Sequence, residues 1–374
     1  LLAEKGKTNE AIVELLCRNS RTPTERRGDL DAQIAACRTG EIRLREIVER
    51  YGWSDTRIHM HALLEYSERL TRLAIRNIPD GTYEFHDFMD DDGISDEPVP
   101  IQVKVTVRDD EFTADFTGTS EQRNGCTNAP LAITQSAVLY VIRCLMPPEV
   151  PANAGCIRPL KIIVPEKSLL NPQPPHAVAG GNVETSQRIV DVLLGALAKA
   201  LPEYIPAGSY GTMNNLLVGG HHHGTDQNYV YYETIAGGMG ARPTKDGVNG
   251  IQMHMTNTRN TPIEAIEMQF PFRLLRYSIR REPGGEGMYK GGYGLVREYL
   301  FMSPATVTVL SERRRFKPYG LNGGQPGTAG KNILFKSGVE EVVLPPKITL
   351  DVEPGDVLSI HTPGGGGWGQ EHGQ

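Results

Sequence analysis

The sequence predicts an α+β fold with a helical hairpin at the front, followed by a large mixed α/β region of short strands and many glycine-rich loops. Three observations predict it. Apolar residues recur at helical spacing near the start, alternate with polar residues further on, and give way to short segments separated by glycines after residue 206. The 374 residues include 41 Gly and 26 Pro, both above average usage, so many tight turns are expected.

The front of the chain predicts two long helices. Asp29 is placed to cap a helix over residues 30–50, which ends before Gly52. Asp55 is placed to open a second helix that stops at Pro79. Together they predict an antiparallel helical hairpin.

The pattern changes period after this hairpin. Alternation predicts strands, including one β-hairpin, and a 3.6-residue period predicts two more helices. The predicted strands lie at 82–89, 99–107, 112–116, 161–164 and 229–235, and the helices at 131–146 and 183–201. We expect one structural unit made of a helical segment (1–78), a mixed α/β part (79–205) and a part rich in strands and glycine loops (206–374).

Composition excludes several classes of protein. The formal charge of −6, from 39 basic and 45 acidic residues, is unlike that of a nucleic-acid-binding protein. No apolar run reaches the roughly 20 residues that a membrane helix needs, so no membrane span is expected. Five cysteines without a Cys-x-x-Cys pair argue against a disulfide framework and a thiolate zinc site, and predict buried free thiols in a reducing cytoplasm. No export signal is recognisable at the start.

Four conspicuous motifs fail when compared with functional templates. Residues 324–332 lack a glycine and the Ser or Thr of a phosphate loop, and a strand is predicted to follow. Ser209 resembles a nucleophile elbow without its first glycine. Residues 90–93 lack the ligand spacing of a calcium loop and predict a solvated turn. Histidines 221–223, with Asp226 nearby, favour an exposed loop over a metal site.

Residues 251–257 alternate, which would place Gln252, His254 and Thr256 on one polar face. Glu264 follows Thr261-Pro262 and has two interpretations. It is either the acidic member of a helix capping box or an acid–base group at a strand-to-helix junction.

Two further segments also have two interpretations. In one interpretation, Asn182, which follows two glycines, caps the next helix. In the other, the backbone N–H groups of residues 180–185 hold an anion or oxyanion. Glu233 precedes a glycine turn and Arg242, a residue suited to pairing with anions. The alternative is a solvent-facing strand residue followed by an ordinary turn.

At these residues the chain resembles the hydantoinase B/5-oxoprolinase family. The likeness covers nearly the whole chain in family order. The matching strings are Gly28-Asp29-Leu30-Asp31-Ala32-Gln33-Ile34, Asp115-Phe116-Thr117-Gly118-Thr119-Ser120, Tyr232-Glu233-Thr234-Ile235-Ala236-Gly237-Gly238-Met239-Gly240-Ala241-Arg242, residues 256–267, Gly291-Gly292-Tyr293-Gly294 and residues 362–369.

The resemblance implies a hetero-oligomer in which ATP is held by an A-type ATPase subunit, which phosphorylates a carbonyl oxygen of the substrate. It also implies a divalent metal, Zn or Mn, held by a region upstream of these residues, so no metal site is expected within residues 1–374. The pocket candidates are Glu233, Glu264 and His254 as catalytic residues, and Asn182, Glu184, Arg242 and Asn257 as substrate-binding residues.

The implied function is that of the B-type subunit of an ATP-dependent cyclic-amide hydrolase that opens hydantoin-like or 5-oxoproline-like rings. Two alternatives stay open at this point. One is a subunit of an ATP-dependent ketone carboxylase acting on acetone or acetophenone. The other is a non-catalytic scaffold for the ATPase subunit.

Overall fold

The computed structural model describes residues 1–222, 227–337 and 341–371. They form an α+β fold, as predicted. The α-helices are α1 (Glu10–Arg18), α2 (Pro23–Tyr51), α3 (Trp53–Ile75), α4 (Leu131–Cys144), α5 (Ser186–Ala200) and α6 (Ile263–Gln269), with a 3₁₀ turn at Ala154–Ile157 and a π-helical turn at Gly181–Thr185.

Fifteen strands lie within the described residues. They are β1 (Ala3–Glu4), β2 (Lys7–Thr8), β3 (Gly81–Met89), β4 (Val99–Arg108), β5 (Glu111–Asp115), β6 (Leu160–Ile163), β7 (Asn215–His222), β8 (Gln227–Thr234), β9 (Phe272–Ile279), β10 (Leu295–Phe301), β11 (Ala305–Leu310), β12 (Lys331–Phe335), β13 (Glu341–Leu344), β14 (Lys347–Val352) and β15 (Val357–His361). Strand β12 occupies the position where a phosphate loop would need a helix, in agreement with the sequence argument.

The two front helices form as predicted, but they begin elsewhere. Helix α2 starts at Pro23, so Asp29 lies inside it and accepts a hydrogen bond from Arg26 (2.9 Å) instead of capping. Gly52, with φ of 78°, joins α2 to α3. Helix α2 has no buried residue, whereas α3 buries its C-terminal end. The described residues contain no helix with the length and apolar character of a membrane span.

The first hydrophobic core lies between the β3-β4-β5-β6 sheet and helices α3, α4 and α5. Strands β4 and β5 form the predicted hairpin, with Val107 opposite Phe112. Strand β6 pairs with β5 in parallel after the α4 crossover. Alternation along β4 points every second residue into this core, which buries Val99, Ile101, Val103, Val105 and Val107.

The second core lies between two antiparallel sheets, ordered β13-β12-β15-β10-β9 and β14-β11-β7-β8. Both sheets contribute side chains to it, such as Leu216 and Val218 from β7 and Leu358 and Ile360 from β15. This arrangement is a β-sandwich.

The glycine-rich loops pack their backbones on one another at one end of the sandwich. Gly292 N donates to Met239 O (2.8 Å), and Gly365 N donates to Gly292 O (2.9 Å). A Cβ at Gly238 would lie 1.9 Å from Gly292 O, so no side chain fits there. These glycines serve backbone packing.

The cysteines depart from the sequence prediction. Only Cys156 is buried, while Cys37 and Cys144 are exposed and Cys17 and Cys126 are partly accessible.

Candidate active site

A cleft of about 530 Å³ separates the β14-β11-β7-β8 sheet from three loops outside the sandwich. The strand register explains its floor, because Leu217, Thr308 and Thr349 stand opposite one another on β7, β11 and β14. Their side chains lie on the face of the sheet away from the sandwich core. The opposite wall consists of residues 92–94, 124–126 and 177–180.

Lys347 lies at the buried end of this cleft. Its Nζ atom pairs with Asp91 Oδ1 (3.0 Å) and with Glu312 Oε1. Burial disfavours the ammonium charge, but Glu312 and Asp91 outweigh that effect and raise the pKa of Lys347. The lysine is therefore a charged but locally neutralised group.

The three aspartates of the acidic loop, residues 90–92, are buried and only Gly93 is exposed, so the prediction of a solvated turn is wrong. The carboxylate of Asp90 accepts the backbone N–H of Arg314 (2.7 Å) and of Arg315 (3.1 Å). Asp92 Oδ1 accepts the backbone N–H of Ile94 (2.8 Å). From the sequence alone the three aspartates resemble an exposed turn, because the partners of Asp90 and Asp91 lie more than two hundred residues away in sequence.

Glu184 lies in the π-helical turn that follows Gly180 of the cleft wall; it is fully buried and does not itself line the cleft. Its Oε1 accepts hydrogen bonds from Met213 N (3.0 Å) and Asn215 Nδ2 (2.6 Å). Its Oε2 accepts no hydrogen bond of standard geometry from the described part of the chain. The pKa of Glu184 is raised to about 8, mainly by burial and, to a smaller extent, by the nearby charge of Glu312. This carboxyl group therefore carries a proton near neutral pH.

Asn215 connects Glu184 to the rim of the cleft. Its Oδ1 accepts the hydroxyl of Tyr232 (2.7 Å), which is 49% exposed and stands opposite Leu217 in the sheet.

The glycine turn before Glu184 does not offer its first two N–H groups to a ligand. Gly180 N donates to Cys126 O (2.8 Å), and Gly181 N donates to Val178 O (3.2 Å). A Cβ at Gly181 would lie 2.0 Å from Asn128 O, so this glycine is required for close packing. Asn182 is exposed and is not a helix cap, because the π-helical turn precedes α5 and no side chain caps either element.

The segment containing His254 is not a strand. His254 has φ of 60°, which breaks the alternation predicted for residues 251–257. Its Nδ1 lies 3.4 Å from the Tyr140 hydroxyl, and burial lowers its pKa to about 4, so the ring is neutral. Gln187 Nε2 donates to Met253 O (3.1 Å), which holds this segment against the start of α5, near Glu184.

Glu233 lies inside the sandwich, which excludes the solvent-facing alternative. Its Oε1 accepts Arg297 Nε (2.8 Å) and the Tyr299 hydroxyl, and its Oε2 accepts Asn260 Nδ2 (2.7 Å). The Arg297 guanidinium also lies 4.4 Å from the ring centroid of Tyr277. Each carboxylate oxygen of Glu233 thus has a protein partner.

All seven predicted site residues lie outside the cleft lining of the described chain, including the three that follow. Arg242 donates to Asp246 O (2.8 Å) within its own turn. Asn257 is exposed. Glu264 is exposed in the first turn of α6, whose N-cap is Pro262 without a side-chain hydrogen bond, so the predicted capping box does not form.

In the described ranges, no three His, Cys, Asp or Glu side chains come together as a metal site. His221 and His222 end β7, with His221 Nδ1 3.2 Å from Asn228 Oδ1. His223 and Asp226 lie outside the described residues. The metal expected in an upstream region stays a prediction, and no chemical step below involves it.

Comparison with known proteins decides the family. The family described as Hydantoinase B/oxoprolinase matches residues 1–371. The chain belongs to this family. The resemblance seen in the sequence is thereby confirmed.

Two relatives and one solved structure illustrate the family. The chain is 41% identical to 5-oxoprolinase 1 of Arabidopsis thaliana, over 98% of this chain and 30% of that protein. It is 37% identical to the 5-oxoprolinase of Dictyostelium discoideum, over 99% of this chain and 28% of that protein. The ATP-dependent caprolactamase of Pseudomonas jessenii matches with a TM-score of 0.87 and 26% identity, over 99% of this chain and 65% of that one. The chain thus spans less than two thirds of each relative.

Sequence reasoning missed most residues of the cleft. Lys347 and Cys126 carried no local motif. Alternation in β7 and β8 could have indicated which side chains share a face, but the pairing of β7 with β11 could not be read from it.

Proposed function

We propose that this chain forms the B-type part of an ATP-dependent cyclic-amide hydrolase that works with an A-type ATPase subunit. The observation that carries the proposal is the likeness, over 99% of the chain, to an ATP-dependent caprolactamase. The likeness to 5-oxoprolinase 1 supports the same reaction class.

In this proposal the partner subunit transfers phosphate from ATP to the amide oxygen. An amide carbon is a poor electrophile, and the phosphorylated form accepts water more readily because phosphate is a good leaving group. Water adds to the phosphorylated carbon, and the ring C–N bond of this adduct breaks as a proton is transferred to nitrogen, which leaves an acyl phosphate. A second water attacks the acyl carbon, and phosphate leaves with the former amide oxygen, so that the carboxylate forms.

We assign that proton transfer to Glu184, because its turn directly follows Gly180 of the cleft wall and its raised pKa of about 8 keeps it protonated near neutral pH. Glu233 acts as a positioning residue, since Arg297 and Asn260 occupy its oxygens. His254 has a pKa of about 4 and serves as a hydrogen-bonding group for water instead of a strong base. Asn182, Arg242, Asn257 and Glu264 have no assigned step.

The test is reconstitution of this chain, within its full-length protein, with the A-type subunit. ADP release and product formation are measured with hydantoin, 5-oxoproline, ε-caprolactam and acetophenone, each with and without bicarbonate. We expect ring opening that requires ATP and not bicarbonate. Bicarbonate-dependent turnover of the ketone would contradict the proposal and support a carboxylase.

Replacement of Glu184 separates a catalyst from a scaffold. Glu184→Gln should lower ring-opening turnover by about 100-fold or more, since the variant has no proton to transfer. Glu264→Gln, at an exposed carboxylate, is the matched control and should keep its turnover. Equal turnover in both variants would mean that the proton comes from elsewhere.

A further inference from the structure

The outer half of the helical hairpin is not covered by the described part of the chain. We call residues 35–63, the end of α2 and the start of α3, the hairpin tip. All of them are exposed except Val48 and Thr56. The large exposed apolar side chains of the tip are Ile42, Leu44, Ile47, Tyr51, Trp53, Ile58, Met60 and Leu63. Helices in water gain most of their stability by burying an apolar face, so this surface indicates a contact with another polypeptide.

The residues of α3 follow the spacing of a coiled coil. Steps of four and three residues alternate along the stripe formed by Thr56, Met60, Leu63, Ser67, Leu70 and Ala74. Leu70 and Ala74 pack on the first core. Met60 and Leu63 continue the stripe, but they are 50% and 48% exposed. The pattern that directs α3 into a core therefore extends beyond the core that the described residues supply.

Helix α2 shows the same spacing. Its stripe is formed by Leu30, Ile34, Cys37, Glu41, Leu44, Val48 and Tyr51. No residue of α2 is buried. Glu41 is the one charged member of this stripe, and it pairs with Arg45 (2.7 Å) on its own helix. An apolar groove of about 430 Å³ lies between the two helices at the tip, lined by Ile47, Tyr51, Thr56, His59, Met60 and Leu63.

We propose that this groove is filled by the hairpin tip of a second copy of the chain. The two hairpins form an antiparallel four-helix bundle around a twofold axis, so the same surface is buried on both copies. Alternating steps of four and three residues suit such a bundle, because they keep one stripe of each helix against its neighbours.

The charges of the hairpin tip allow it to associate with itself. Its carboxylates and guanidinium groups nearly balance, so two tips do not repel each other, and a strongly charged partner would gain little from this surface. The four carboxylates are those of Glu41, Glu46, Glu49 and Asp55, and the five guanidinium groups are those of Arg38, Arg43, Arg45, Arg50 and Arg57.

The available area is close to that of a stable dimer. Helix α2 has 29 residues and spans about 43 Å, and residues 53–63 of α3 add about 16 Å. At a helix width of about 10 Å, these segments offer roughly 600 Å² per copy in flat projection. Interdigitating side chains add to this area, and a stable interface buries about 800 Å² on each partner. The hairpin is therefore large enough to hold two copies together.

Sedimentation equilibrium of the full-length protein, without its A-type subunit, tests the proposal. Leu44→Glu with Met60→Glu places two carboxylates in the stripes. Ile42→Glu with Ile58→Glu is the matched control, because these side chains are at least as exposed but lie about 160° away around their helices. We expect the native and control proteins to be dimers. The dimer Kd of the stripe variant should be at least about 100-fold higher, since unpaired carboxylates lose their hydration in an apolar contact.

Cys37 reports on the contact locally, because it belongs to the α2 stripe and is exposed in the single chain. The three proteins are alkylated with iodoacetamide, and each cysteine is followed by peptide mass spectrometry. Exposed Cys144 on α4 is the internal reference. Relative to Cys144, Cys37 should react at least about tenfold more slowly in the native and control proteins than in the stripe variant. If that variant does not fold, dilution of the native protein below its dimer Kd should accelerate the reaction of Cys37 to the same extent.

Three other outcomes overturn the proposal. A native protein that is monomeric, and whose stripe variant no longer binds the A-type subunit, would assign the groove to that subunit. A monomer in which Cys37 reacts slowly at every dilution would place another segment of its own chain on the tip. Dissociation of the dimer by both pairs of substitutions, or by neither, would exclude this contact between copies. None of these measurements involves ring opening, so the proposed function is tested separately.

Discussion

Glu184 shows how a single buried carboxyl group acquires its chemistry. It lies on a π-helical turn, its Oε1 is held by Met213 N and Asn215, and its Oε2 has no standard hydrogen bond within the described ranges. Because ionisation would place a charge in a fully buried position, and near Glu312, the protonated form is favoured in the folded state.

The raised pKa of Glu184 predicts a dependence of stability on pH. The folded-state pKa is about 8 and the ordinary value is 4.5, so ionisation favours the unfolded chain between these values. The stabilisation is complete below the ordinary value and is lost as pH rises through about 8. Glu312, with a pKa raised to about 7, contributes in the same direction.

Glu184→Gln keeps an uncharged side chain at all pH values. Its free energy of unfolding relative to the native sequence should therefore rise, by on the order of 2 kcal/mol, between about pH 5 and about pH 8.5. Urea denaturation of the variant and of the native sequence at both pH values measures this difference in the free energy of unfolding. Glu264→Gln is the control for the loss of one carboxylate. If the difference in free energy of unfolding between Glu184→Gln and the native sequence were the same at both pH values, the burial argument would be contradicted.

At the scale of elements, α5 is the helix on which the first core depends. It is buried along nearly its whole length, and Gly195 allows it to approach β3. A Cβ at Gly195 would lie 2.6 Å from the ring of Phe85. The glycine therefore serves packing, although glycine lowers intrinsic helix stability.

Gly195→Ala should destabilise the protein by about 1 to 3 kcal/mol, because the added methyl group overpacks the contact with Phe85. Thermal unfolding measures the loss, and a second change, Phe85→Leu, should recover part of it. Gly40→Ala on exposed α2 is the matched control, since nothing lies within 4 Å of its Cβ position. That variant should be neutral or more stable, by up to about 1 kcal/mol. A Gly195→Ala variant as stable as Gly40→Ala would refute the packing argument.

At the scale of the whole molecule, a buried ionic network joins the two cores. Arg313, from the sandwich, pairs with Asp191 Oδ2 (2.5 Å) on α5 and with Asp87 Oδ2 (2.7 Å) on β3. Arg188 on α5 pairs with Glu312 from the sandwich side (3.4 Å). The ion pairs of Arg313 all cross from the sandwich to the first core, so its charge is compensated by carboxylates only while the two cores are docked.

Arg313→Met should destabilise the protein by about 3 to 5 kcal/mol, because it leaves buried Asp191 and partly buried Asp87 to share one guanidinium, that of Arg188. Chemical denaturation measures the change. Arg273→Met, at an exposed position on β9, should stay within about 0.5 kcal/mol of the native sequence. If Arg313→Met unfolded at the same denaturant concentration as Arg273→Met, the network would not contribute to coupling the cores.

The local predictions succeeded where side-chain periodicity alone determines an element. The strands at 82–89 and 99–107 and the helix at 131–146 lie within a few residues of their predicted bounds. The caps predicted at Asp29 and Asn182 failed, because helix ends depend on neighbouring elements as well as on the first turn.

By itself, the sequence determined the α+β class, the order of most elements and the family, because periodicity and glycine strings are properties of short stretches of chain. Only the tertiary structure decided which polar residues are buried and which meet. Asp90 joins Arg314, Glu184 joins Asn215, and Lys347 joins Asp91. The physical reason is that burial and charge compensation depend on residues brought together by sheet register and core packing, far apart along the chain.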